Sequence, residues 1–391
     1  MGLARAAQQR GTNFAIDDGA ATSIAEHPKL AWMTATQVST PDFVSAWEQL
    51  ALNACEPNPF YEPWFVLPSF ETLTSGVSIK IAAVFEGKEL IGLLPMKRSR
   101  DYYGYSIPHL SSWLHNNAFC GVPLIRKGAE KLFWISLLAA CDVNPGRSLF
   151  LHLPSLPAHG PATHALDKVL CQTGLSYADV HSRTRAMLAS KHSPDAYIAN
   201  ALTNKRRKEL RRHKRRLEDK GELTFDRDEA DIGIEAWADE FLQLEAAGWK
   251  GEAGSALASN STTAAFFHTA LRGAAQNGRL ERLTLRLDGR PIAMLANLIS
   301  PPGAYSFKTA FDEDYAAHSP GVLIQLENLT MLDRQDVEWT DSCAMQGHSM
   351  IERLWTERRE LISRNIAIGG PVRRFAFSML SKYETRTRSD K

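Results

Sequence analysis

Ala304-Tyr305-Ser306-Phe307-Lys308-Thr309-Ala310-Phe311, then Asp312 to Ala317, then His318-Ser319-Pro320-Gly321-Val322-Leu323 read as a strand, a short loop and a helix opening on a small turn. The first segment is rich in aromatics and suits a half-buried strand. Ser319 stands where a cap belongs, and Pro320 fits a first helical turn, where its missing N–H costs nothing. Beyond it Val322, Leu323, Leu326, Leu329 and Met331 or Leu332 recur every three to four residues, which predicts a helix with one buried face. Gly321 removes a Cβ where another group approaches the backbone, and a helix N-terminus attracts anions through its free N–H groups and dipole. The pattern fits a phosphate-holding turn. It fits an ordinary capped amphipathic helix as well, and the residues alone leave both open.

Upstream of this segment a hairpin pattern occurs twice. Ile81 to Pro95 turns at Glu86-Gly87, and Leu283 to Leu295 turns at Asp288-Gly289. An amphipathic segment precedes each hairpin, Pro41 to Leu52 in the first half and Thr262 to Gln276 in the second. The chain therefore reads as two copies of one α/β (α+β) unit, helices against a mixed, mostly antiparallel sheet. Its division is expected as a mobile arm over 1–35, a first domain over 36–190, a second over 191–380 and a polar tail over 381–391. Ser193-Pro194-Asp195 looks like a helix start just past the boundary. Leu153 to Gly160, with Pro154, Pro157 and Gly160, is expected to break regular structure.

A chain of 391 residues, 44% hydrophobic and 23% charged, has the material for two packed cores. It holds no run near the roughly 18 apolar residues of a membrane span, so a soluble protein is expected. Met1 to Ala31 has no apolar core behind a basic start, unlike a secretory signal, and a cytoplasmic location is expected. Cys55, Cys120, Cys141, Cys171 and Cys343 are odd in number and form no C-x-x-C pair, which argues against a disulfide framework or a zinc site. No metal is expected. The absence of G-x-S-x-G, H-E-x-x-H and G-x-x-x-x-G-K-[ST] patterns removes the simplest hydrolase, metalloprotease and P-loop readings.

Between Lys205 and Arg216 stand nine lysines and arginines against Glu209 alone. Leu202, Leu210 and Leu217 give this stretch one narrow apolar seam, so the rest of the predicted helix is cationic. Two readings stand side by side. One is a surface facing phosphates or an anionic polymer. The other is a solvated helix whose arginines pair with Glu222, Asp226, Asp228 and Glu229. No aromatic side chains are interleaved to stack on the bases of single-stranded RNA.

Taken in order, Pro59-Phe60-Tyr61, Trp64, the Gly87 hairpin ending at Leu94-Pro95, Arg215-Arg216-Leu217, Phe241 to Gly251, Phe307 to Asp312 and Ser319-Pro320-Gly321 resemble the CelD-like acetyltransferase family associated with cellulose biosynthesis. That family is a branch of the GNAT superfamily related to the FemABX aminoacyl transferases, and the resemblance spans about residues 40 to 375. It implies tandem GNAT-like domains and an N-acyltransferase that moves an acyl group from acetyl-CoA, or another acyl-CoA, to an amine. The acceptor it implies is a small molecule or a glycan precursor of cell-envelope or exopolysaccharide metabolism. The donor would lie on Phe311, His318, Ser319, Gly321 and Val322, with its pyrophosphate at the helix start.

Acyl transfer to an amine needs reactants held together, a donor to the carbonyl oxygen and a base for the amine proton. For the base, Glu245 and Asp341 are candidates, against local pairing of Glu245 with Lys250 and a turn role for Asp341. His348 is the candidate to protonate the departing thiolate, or else an exposed turn histidine. Trp249, Lys250 and Lys308 are candidates for holding the acceptor. A second reading takes aminoacyl-tRNA as donor, as in the FemABX relatives. A third is a non-catalytic protein that binds an anionic polymer through the Lys205 to Arg216 surface.

Overall fold

The computed structural model describes residues 28–74 and 76–389, with side chains to 384. Its strands are β1 (Lys29–Met33), β2 (Ile79–Glu86), β3 (Glu89–Tyr102), β4 (Tyr105–Ser112), β5 (Leu124–Ile125), β6 (Phe150–Pro157) and β7 (Tyr177–Leu188) in the first half. The second half supplies β8 (Leu223–Asp228), β9 (Leu280–Leu287), β10 (Arg290–Ser300), β11 (Gly303–Phe311), β12 (Trp339–Asp341) and β13 (Glu357–Ala367). All join one sheet in the order β1-β2-β3-β4-β6-β13-β7-β12-β11-β10-β9-β8, with β5 on β3.

Read inward from either edge, the order is the same: antiparallel strands, then one parallel pair, then a central strand. The parallel pairs are β4 with β6 and β11 with β12. The central strands are exchanged. β13, the last strand of the second half, pairs with β6, while β7, the last of the first half, pairs with β12. β7 and β13 also pair with each other, from Glu357 opposite Met187 to Ile366 opposite Tyr177. A cut near residue 190 divides the sequence but not the sheet. The core is shared as well: the Phe65 ring meets Phe266 at 5.1 Å and Phe307 at 5.9 Å, and the Tyr305 hydroxyl donates to Pro57 O at 2.9 Å.

Both hairpins form, the second turning at Asp288-Gly289 as expected and the first one residue later than expected, at Gly87-Lys88, with Glu86 opposite Glu89 in the ladder. Asp288 and Gly289 take φ of 49° and 76°, the twist that a tight two-residue turn demands. The helix Pro41–Leu52 has the expected bounds, and its partner Ser261–Gln276 starts one residue early. Helix Pro320–Glu327 is shorter than its leucine spacing suggests and passes into a 3-10 turn over Asn328–Asp333. Leu153 to Pro157 is no break, because it forms most of β6. Pro154 is tolerated there: pairing with β4 involves Leu151 and His152, and β6 itself bulges at Pro154-Ser155, two residues opposite Ser363 alone on β13.

Of the expected arm, residues 1–27 lie outside the described residues, and Lys29–Met33 pairs with Ile81 to Phe85 as an edge strand. The expected polar tail lies within helix Pro371–Ser389 up to residue 389, and residues 390–391 lie outside the described set. Among the described residues no helix is long and apolar enough to cross a membrane.

Candidate active site

β12 is only three residues long, and this shortness opens the site. It pairs with β11 over Gly303 to Tyr305 and then leaves it. Asp341 Oδ1 accepts the Cys343 N–H at 2.8 Å, Cys343 takes φ of 53°, and the chain turns away. From Ser306 to Phe311 the outer edge of β11 has no strand partner among the described residues and lines a cavity of about 210 Å³. Asp312 donates its N–H to Ile292 O on the β10 side, so Thr309 and Phe311, in the alternate register, turn their N–H and C=O groups toward the cleft. Lys250 Nζ lies 3.4 Å from Thr309 O, on that open side.

The matching splay in the first half, between β4 and β6, is filled by the chain's own residues 113–122. Gly121 donates its N–H to Ser155 O at 3.0 Å, and Asn58 Nδ2 reaches Cys120 O at 3.1 Å and Val122 O at 2.7 Å. A Cβ on Gly121 would stand 2.0 Å from Pro154 O, so the plug depends on glycine there. The same segment crosses to the second half. Phe119 lines its cavity, and Asn117 Oδ1 accepts from Lys308 Nζ at 2.9 Å. One cleft is closed by the peptide that walls the other.

Glu245, Trp249, Lys250, Lys308, Phe311 and His348 all line this cavity. Glu245 is 4% exposed on helix Ile234–Ala247, and both oxygens are engaged: Oε1 by Lys250 Nζ at 2.7 Å, Oε2 by the Leu257 N–H at 2.8 Å. The local pairing that the spacing left open is thus present. Lys308 is half-buried between the Phe119 and Phe307 rings, 5.4 and 5.6 Å from their centroids, and its polar partner is the neutral Asn117 amide. Burial pushes its pKa from 10.5 down to about 8, although Glu245 works the other way. Trp249 is 54% exposed at the rim, and His348, exposed, precedes the short helix Ser349–Glu352. Cys343 also lines the cavity, where burial holds its thiol well above the usual range.

A second cavity of about 240 Å³ adjoins the first, with Phe311 and Met350 lining both. Ser319, Gly321 and Val322 stand in it with Arg206 and Arg353. Ser319 does not cap the helix with its side chain as its position suggests. It takes the left-handed conformation, φ 54°, and its carbonyl accepts from Val322 N at 3.0 Å and Leu323 N at 3.1 Å. A Cβ on Gly321 would come within 2.9 Å of Met350 Sδ and 3.0 Å of Phe311 Cδ1. His318 lines neither cavity. Its ring lies 6.4 Å from that of His213 on the basic helix, and burial with Lys220 and Arg216 lowers its pKa.

Asp341 lies behind the cleft, fully buried. Oδ1 meets Arg185 at 3.3 Å, Oδ2 meets Arg359 at 3.2 Å, and Arg359 reaches Glu56 at 3.2 Å and stacks 4.3 Å from the Trp339 ring. Arg185 also donates to Phe119 O. This network joins β7, β12, β13 and the 113–122 segment, and no local sequence pattern marks its members as neighbours.

The basic helix runs Asn204–Glu218, with Leu210, His213 and Leu217 buried. The acidic stretch after it pairs elsewhere: Asp226 with Arg286, Asp228 with Arg282, Glu229 with Arg334. Among the described residues only Arg206, His213 and Lys214 of this helix have a carboxylate within 4 Å.

Residues 204–346 match the family model described as an acetyltransferase (GNAT) domain. The matched segment holds the basic helix, β11, both cavities' main walls and Asp341. Among solved structures, that of FemX is similar at 9% identity over 87% of this chain and 97% of its own, with a TM-score of 0.57. A conserved protein of unknown function from Bacteroides thetaiotaomicron VPI-5482 is similar at 10% identity, over 83% and 96%, with a TM-score of 0.52. A tandem GNAT protein from the clavulanic acid biosynthesis pathway is 17% identical over 88% and 99%, with a TM-score of 0.45. No curated protein matches the sequence. Residues 204–346 thus match an acetyltransferase (GNAT) domain, and the chain shares the fold of FemX.

Proposed function

We propose that the chain transfers an acyl group from a CoA thioester to an amine by direct attack in a ternary complex in the β11–β12 cleft. The observation that carries this is the continuity of the open β11 edge with the cavity at the Pro320–Glu327 helix start, across Phe311 and Met350. The donor's phosphates would sit at Gly321 and Val322 between Arg206 and Arg353, where helix dipole and guanidinium charge act together. Its thioester would lie along β11, with the carbonyl oxygen accepting from the Thr309 or Phe311 N–H.

The amine would enter past Trp249. Its nitrogen attacks the thioester carbon, the C–N bond forms, the C–S bond breaks, and sulfur leaves with the electron pair as thiolate. We give Lys308 the amine proton, because a cation whose pKa burial brings to about 8 is partly neutral near pH 7, when it can act as a base. Glu245, doubly bonded, holds Lys250 against the acceptor. His348 is assigned the return of a proton to sulfur, and His318 a supporting place behind the phosphates. Asp341 is assigned the task of holding Arg185 and Arg359. Cys343, kept protonated by burial, is a poor nucleophile, which favours direct attack over an acyl-enzyme.

Within the GNAT superfamily we place the chain beside the CelD-like branch, with domains meeting near 190, in the cytoplasm, acting on an envelope or exopolysaccharide amine. Aminoacyl-tRNA as donor is the second reading, favoured by the cations of the basic helix that lack a carboxylate partner among the described residues, such as Lys208, Arg211 and Arg215, and by Arg206 of the same helix in the second cavity. Thermal unfolding with CoA, acetyl-CoA and longer acyl-CoAs tests the choice. Ligand at about 100 times its dissociation constant adds roughly 2.7 kcal/mol of stability. A rise with one acyl-CoA supports the proposal. No shift with any, together with salt-sensitive tRNA binding, favours the second reading.

A further inference from the structure

Helix Pro371–Ser389 buries one face and exposes another apolar one. Phe377 is 1% exposed and packs against Phe150 and Tyr102. Val372, Phe375, Met379 and Tyr383, spaced three, four and four residues apart, are 56 to 83% exposed. At 3.6 residues per turn these four form a single stripe along the outer side. Segments that touch the helix carry further exposed apolar side chains. Val143 is 75% exposed beside Asp142, which accepts from Gly369 N and Arg374 at 2.8 and 2.9 Å. Tyr105 is 68% exposed at the hairpin whose Tyr102 hydroxyl donates to Glu384 at 2.8 Å.

Positive charge predominates along the helix sequence. The helix sequence holds Arg373, Arg374, Lys382, Arg386 and Arg388 against Glu384. Arg373 spends its donors on the neutral carbonyls of Ser148 and Gly146, at 2.8 and 2.6 Å, and Arg98 on those of Pro145 and Asn144, at 2.7 and 3.3 Å. Among the described residues neither has a carboxylate within 4 Å, so both charges go uncancelled.

We infer that this face docks on an anionic phospholipid surface, the helix lying in the interface plane with its stripe among the acyl chains and its cations at the headgroups. Apolar area and basic charge on one helix are the two terms that drive such binding. A second copy of this chain is the poorer occupant, because two such helices side by side would oppose like charges. The inference is independent of the acyl donor and acceptor.

Co-sedimentation of the full chain with phosphatidylcholine vesicles, with and without one-third phosphatidylglycerol, tests it. The protein should pellet with the anionic vesicles at low salt and be released as salt rises. The double variant Phe375→Ser/Met379→Ser should bind about ten-fold more weakly or worse, with unchanged thermal unfolding because both side chains already face water. Equal pelleting of variant and parent, or no pelleting with anionic vesicles, overturns the inference. So does a concentration-dependent dimer in ultracentrifugation that the same variant abolishes.

Discussion

Replacing Lys308 by Met should make the protein more stable near neutral pH while removing its activity. The side chain is half-buried, charged, and answered by an amide rather than a carboxylate. A fall in pKa from 10.5 to about 8 corresponds to about 3 kcal/mol of penalty for keeping the proton in the folded state. Attraction to the Phe119 and Phe307 rings, at 5.4 and 5.6 Å, returns about 1 kcal/mol. Met is similar in length and apolar, so the variant should gain about 2 kcal/mol at pH 7. The folded pKa lies below the unfolded one, so between about pH 8 and 10.5 the unfolded chain still holds a proton that the folded chain has lost. Stability of the parent therefore rises with pH across that window, and the penalty is full only below it. By about pH 9.5 most of the variant's advantage should be gone. Chemical denaturation of both proteins at the two pH values measures this. A variant less stable than its parent at pH 7, or an advantage that does not shrink with pH, refutes the reasoning.

Three further outcomes follow from the same geometry. Gly321→Trp should leave the chain folded and abolish acyl-CoA binding in calorimetry, because an indole there would fill the passage beside Met350 and Phe311; retained affinity would mean the donor lies elsewhere. Asp341→Ala leaves Arg185 and Arg359 buried with less countercharge and should cost about 3–5 kcal/mol in denaturation, whereas a catalytic Asp341 would lose activity at little cost in stability. Cys343→Ala should keep its acyl-transfer rate, and intact mass after mixing the parent with acyl donor should show no added acyl group; a Cys343 adduct would contradict direct attack.

Much of the architecture was legible because it is local. The turns at Gly87 and Gly289, the alternation around them and the apolar faces of Pro41–Leu52 and Ser261–Gln276 are fixed by neighbouring residues, so the repeat could be read directly. The exchange of β7 and β13 could not, since each strand's partners lie in the other half of the chain and nothing in Tyr177 to Leu188 names them. Pro154 and Pro157 misled for a related reason. Proline argues against a strand only where its ladder bond is needed, and at Pro154 the bulge in β6 removes that need. At the site, Glu245, Trp249, Lys250, Lys308 and His348 were found from their types and do meet in one cavity. Phe119, Asn117, Arg206 and Arg353 come to the clefts only through the fold. Asp341 looks in sequence like any strand-end acid, and its two arginines arrive from 156 residues before and 18 after.

The account's central claim is the place of the donor, and hydrogen–deuterium exchange with and without acyl-CoA tests it most directly. Slowed exchange should concentrate at Ser306 to Phe311 and Pro320 to Leu323, with residues 113–122 of the plugged first-half cleft affected only where Asn117 and Phe119 touch the site. Protection confined to the first half, or no protection at a ligand concentration that shifts thermal unfolding, would contradict it.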